Sequence, residues 1–138
     1  MLRIIVMALM LVMGAGVAVA EEPKDVKQVM QWLSADMQVI FKSIMVEDFD
    51  SIAIHAEKVA YHQEPPVKHR LAMVAELKLD FPNFKGHDDT VHMASVAMQE
   101  AAKRKEMSVV LENYAKATQG CVACHETYRT RIKNLDLK

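Results

Sequence analysis

Cys121-Val122-Ala123-Cys124-His125-Glu126-Thr127-Tyr128-Arg129 lies close to the C-terminal end of a 138-residue chain. C-x-x-C-H is the spacing of a covalent haem-attachment site. Two thiols three positions apart share one side of a helical turn, so both can add to the vinyl groups along one haem edge. The imidazole of His125 can then meet the iron as its proximal ligand. The surroundings speak against the other readings. A redox dithiol ordinarily opens a helix that follows a strand, and no βαβ pattern precedes this one. A structural zinc site needs more Cys or His at ligand spacing, whereas the chain holds 2 cysteines in all and no histidine after His125. A disulfide between cysteines three apart on a continuous helix meets the narrow geometry of that bond badly.

Around the motif, Val110, Tyr114, Ala117, Cys121, Cys124 and Tyr128 recur at intervals of three and four. This predicts a long last helix from about Met107 to Asn134, with the motif on its inner seam. Gly120 inside that helix costs on the order of 1 kcal/mol relative to alanine; close approach of the backbone to a porphyrin would justify it. Before it, Asp88 or Asp89 is expected to cap a helix reaching about Lys105, with Val91, Ala94, Met98 and Ala101 inside and Ala97 beside them. Lys103-Arg104-Lys105 suits the negative end of that helix dipole; a docking patch for an acidic redox partner is the sharper reading. Phe81-Pro82-Asn83-Phe84-Lys85-Gly86-His87 reads as a loop, because Pro82 and Gly86 break the period. Its phenylalanines pack over a haem edge or plug one end of the fold, and sequence does not separate the two.

Nearer the N-terminus, Val26, Met30, Leu33, Met37, Ile40 and Ile44 form an unbroken seam on a first helix from about Pro23 to Met45. Trp32 and Phe41 widen it. A turn at Glu47-Asp48-Phe49-Asp50 offers Asp48 or Asp50 as cap of a second helix, whose inner stripe is Ile52, Ala56, Val59 and Ala60. Pro65-Pro66 ends it. A further helical piece covers Val67 to Leu77, with Leu71, Val74 and Leu77 inward. Four helical segments, short connections and no strand pattern predict an all-α, antiparallel four-helix bundle carrying its haem near the C-terminus.

Haem attachment of this kind requires export. Arg3, the apolar run Ile4 to Val19 and the small-x-small site Ala18-Val19-Ala20 read as a secretory signal peptide over residues 1–20. The run is short for a membrane span of about 20 residues. The expected mature domain is 21–138, in the periplasm of a Gram-negative type of cell, with no stable membrane insertion. Its 16 basic and 18 acidic side chains argue against non-specific nucleic-acid binding. Its composition, poor in glycine and proline, favours helix.

With the motif on a last bundle helix, the chain resembles the class II c-type cytochromes, cytochrome c′ and its low-spin relatives. The resemblance rests on 121–129, on the Met30 to Asp50 segment and on Phe81-Pro82. It implies one haem c per chain, held by Cys121 and Cys124, with His125 on the iron and Arg129 as the basic residue near the haem. In that family a first-helix residue covers the other iron face, and the position falls on Met30, a soft thioether ligand; Met37 lies one heptad further. Val26 and Ala35-Asp36 stand where the family often has an arginine and a glycine-arginine pair. His55, His62, His69, His87 and His92 are expected at the surface or at edges. The function this implies is electron transfer to periplasmic redox partner proteins, without enzymatic activity; a homodimer through helix faces stays open. The alternative is a five-coordinate haem protein that binds nitric oxide or carbon monoxide.

Overall fold

The computed structural model describes residues 22–135, so the leader read at 1–20 lies outside it. Among the described residues the chain is all-helical, with no strand. The helices are α1 (Val26–Met45), α2 (Phe49–Ala60), α3 (Val67–Leu77), α4 (Phe81–Lys103) and α5 (Met107–Lys133), with a 3-10 turn at Lys78–Asp80. α1 packs on α2, α2 on α4 and α4 on α5, while α3 rests lightly on α4 and α5. This is compatible with a helical bundle of four principal helices and one short extra helix. None of the described helices is long and apolar enough to cross a membrane.

Local chemistry explains the boundaries. The Asp25 carboxylate accepts from the Gln28 N–H at 2.7 Å and opens α1; Asp48 accepts from Ser51 at 3.1 Å and opens α2. Both tight turns close with the same pair of backbone bonds. Asp48 N–H reaches Ser43 O at 2.9 Å and Glu47 N–H reaches Ile44 O; Glu106 N–H reaches Ala101 O at 3.0 Å and Lys105 N–H reaches Ala102 O. That pattern needs a left-handed residue after the helix, ordinarily glycine. Here Glu47 (φ 55°) and Lys105 (φ 59°) take it. Lys103 and Arg104 are ion-paired within their own turns, to Glu100 and Glu106.

The core joins α1, α2, α4 and the start of α5 through Ile40, Ile44, Ile52, Ala56, Val59, Met98, Ala101, Ala102 and Val110. Burying one such large aliphatic side chain contributes about 1.5–3 kcal/mol. The inner stripe expected for α2 is buried throughout.

Several expectations are corrected. Phe81–Gly86 is not a loop but the first turns of α4. The 3-10 turn supplies the carbonyl that receives the Phe81 N–H, and Pro82 sits in the first turn, where its missing donor costs nothing. Asp88 and Asp89 are therefore inside α4 rather than capping it. On α3 the buried residues are His69, Met73 and Leu77; Leu71 and Val74 face out. One helix face cannot hold both sets, and the i, i+4, i+8 row lies against the bundle. His69 is accordingly buried, contrary to expectation, and its Nδ1 has no hydrogen-bond partner among the described residues. On α1, Val29 takes the core position in the N-terminal half, and Met30 is turned to the flank at 40% exposure.

Candidate functional site

α5 carries the motif on continuous helix. Val110, Asn113, Ala117, Gly120 and Tyr128 fill its buried face. Cys124 falls on the same row, four residues after Gly120 and four before Tyr128, and is half-buried, as is Cys121; His125 is exposed. A Cβ placed on Gly120 would stand 2.9 Å from Val91 Cγ2 and 3.6 Å from His87 O, so α4 presses on the helix at Gly120. Gly120 is explained by helix-to-helix approach, not by a porphyrin.

α4 builds the wall beyond it. Phe84 meets the Tyr128 ring edge-on at 5.5 Å between centroids, and His87 meets it at 6.0 Å. Phe81 stacks on Phe84 at 6.0 Å. These aromatics plug the end of the α4–α5 pair. Asp88, next in the chain, lies 4.0 Å from His62 Nε2 at the end of α2. Its charge also reaches the cysteines.

Both thiols are free and are held neutral. Burial pushes the Cys121 thiol up. Burial, then Cys121, then the Asp88 carboxylate push Cys124 up from 9.0 to about 11. A nucleophilic or redox-active cysteine needs a lowered pKa in an electropositive setting. This pair has the opposite, which disfavours thiol-disulfide exchange.

Apolar side chains are exposed on the other side of α5. Val122 and Leu111 are each about half exposed, and Tyr114 borders them. α1 carries Met30, Met37 and Phe41 along one side. The two helices have little backbone contact among the described residues; the rings of Phe41 and Tyr114, 6.5 Å between centroids, bridge them. The donor set suits a porphyrin: two neutral thiols three positions apart and an accessible imidazole one residue on. No three of His, Cys, Asp and Glu gather as a metal-holding group among the described residues, and a porphyrin brings its own equatorial ligands, leaving only axial positions to the chain.

The remaining sequence candidates disperse. Arg129 is exposed. His55 Nδ1 pairs with Asp36 at 2.6 Å, His62 with Val59 O, and His92 with Ala60 O at 2.8 Å, so these three fasten α2 to its neighbours or close its end. Sequence reading missed Arg131. Its guanidinium donates to Glu76 Oε1, Glu76 O and Asp80 Oδ2, at 3.3, 3.0 and 2.9 Å, and ties α5 to the end of α3. Contacts spanning more than fifty residues leave no local signal. The chain matches no protein-family model, and no curated protein or solved structure matches it.

Proposed function

We propose that this chain is an exported c-type cytochrome of the class II kind, an antiparallel four-helix bundle that carries electrons in the periplasm after loss of residues 1–20. Cys121 and Cys124 would hold the haem as thioethers, His125 and Met30 would ligate its iron, and Arg129 is kept as the basic residue near it. When bound, the group supplies a one-electron ferric/ferrous couple.

The observation that carries this reading is a matter of register. Phe41 and Tyr114 pin α1 to α5. Met30 lies eleven residues before Phe41, and His125 lies eleven residues after Tyr114. On helices that run in opposite senses, equal offsets from a shared contact end at one level, here about 16 Å along the axis. Eleven residues are also close to three whole turns, so both residues return to the flank that bears the ring pair. Opposite senses are supported for α1–α2 by Asp36–His55 and Ser43–Ser51, for α2–α4 by Ala60–His92 and His62–Asp88, and for α4–α5 by Phe84–Tyr128 and Val91–Gly120. In this reading Met30 stands level with the imidazole. No acid or base stands among Met30, Leu33, Met37 and Phe41, which favours a carrier over a catalyst that must move protons.

The test is made on full-length precursor expressed with a haem-attachment system. Mass spectrometry should find mature chain plus one covalent haem. The ferric spectrum should be low-spin, with the far-red methionine-to-iron band, and carbon monoxide should bind the ferrous form slowly. A bare polypeptide would sink the proposal. Covalent haem with a high-spin spectrum and immediate carbon monoxide binding would replace the carrier with the gas-binding alternative.

A further inference from the structure

We infer that Gly120 and Val91 form a positioning contact that sets where the haem-attachment edge stands, by holding α4 against the residue immediately before Cys121. Neither residue touches the haem in this reading; both act through the path of α5.

The geometry is specific. Gly120 is buried, and a methyl group built on it would lie 2.9 Å from Val91 Cγ2, 3.5 Å from Thr90 Cγ2 and 3.6 Å from the backbone oxygen of His87. Carbon atoms rest comfortably at about 3.5–4.0 Å, so one added methyl demands a shift of roughly 0.6–1 Å. The side chain in the way cannot easily yield. Valine in a helix has one strongly preferred χ1 rotamer. Behind it is the α4 backbone, itself held by Phe84 and His87 on Tyr128. The movement must therefore be taken up by α5, at the turn that bears Cys121 and Cys124. Functional groups generally need placing to within about 0.5 Å, and His125 is only five residues on. Gly120 directly precedes Cys121, and both cysteines are half-buried, so displacing α5 here changes their exposure.

Helix propensity alone predicts the opposite. Gly→Ala in a helix interior should stabilise by about 1 kcal/mol. A local gain in helix stability with harm to the site is the signature of a positioning contact.

The experiment compares the parent, Gly120→Ala, Val91→Leu, and the double variant Gly120→Ala with Val91→Ala, as full chains. The spectroscopic arm rests on the proposed haem reading. Gly120→Ala should keep its covalent haem by mass, lose at least half of the far-red methionine band and bind carbon monoxide several-fold faster. Val91→Leu, which presses on the same spot from α4, should do likewise. The double variant should regain the parent's band and rate. A second arm uses chain made without haem attachment, with iodoacetamide alkylation of Cys121 and Cys124 as readout. Gly120→Ala should react several-fold faster than the parent, and the double variant at the parent's rate. Unchanged alkylation in both single variants, or failure of Val91→Ala to rescue, overturns the inference whether or not haem is attached. A parent chain that takes up no haem removes the proposed function and leaves the alkylation arm to decide this contact.

Discussion

Replacing Met30 with leucine tests the register at its most exposed point. Leucine conserves bulk and apolarity, and Met30 is 40% exposed, so the core around Val29 and Ile40 is left intact and the cost in stability should stay below about 1.5 kcal/mol. The proposed ligand, however, is gone. Met37 is the only other methionine offered as ligand on α1, and it lies seven residues away, about 10 Å along the axis. It cannot reach the level of His125 by changing rotamer. A second replacement, Met37→Leu, removes a residue that packs on the core cluster but stands off that level. Met30→Leu should therefore convert the ferric spectrum to high-spin, abolish the far-red band and open the iron to carbon monoxide, while Met37→Leu keeps all three as in the parent. Spectra of purified variants with haem attachment verified by mass decide the matter. A far-red band that survives Met30→Leu and vanishes in Met37→Leu would refute the register drawn from Phe41 and Tyr114.

Other consequences follow from single features. Cys124, raised to about 11, should alkylate slowly at pH 7 in haem-free chain and speed up steadily toward pH 11; a rate plateau below pH 9 would contradict the burial that holds it neutral. The same shift carries a sign for stability. The folded chain favours the neutral thiol, so this contribution is present below the ordinary value of 9.0 and is lost as pH rises toward 11; urea midpoints across that window should fall. Lys105→Gly should raise stability by about 1 kcal/mol, since a left-handed residue at φ 59° favours glycine, and a lowered midpoint would show that the lysine side chain matters more. Met98→Ala, at a fully buried position, should cost about 2–5 kcal/mol by equilibrium unfolding.

Much of the fold is legible in local pattern. The span Val67–Leu77 is set off by Pro65-Pro66, and α2 by the Asp48 cap and its buried stripe, because proline geometry and capping act within a few residues. Phe81–Gly86 shows the limit. Proline and glycine there look like loop punctuation, yet a preceding 3-10 turn lets proline occupy a helix start. Of the candidate site, the residue types and spacing at 121–125 are plain in sequence; their exposure is not. A period of three and four marks a face but not how much of it neighbouring helices cover, and here both cysteines are left half-buried.

Sequence by itself determined that this chain is helical, where most helices begin and end, and that two thiols and an imidazole share a turn near its end, since all of these are short-range consequences of backbone and side-chain chemistry. Tertiary structure decided which side of α5 faces α4, that Gly120 makes room for Val91, that His69 is enclosed, that Arg131 reaches Glu76 and Asp80, and that Phe41 meets Tyr114. These depend on how rigid helices of given side-chain size fit against one another, and that fit is a property of pairs of distant segments which neither segment encodes alone.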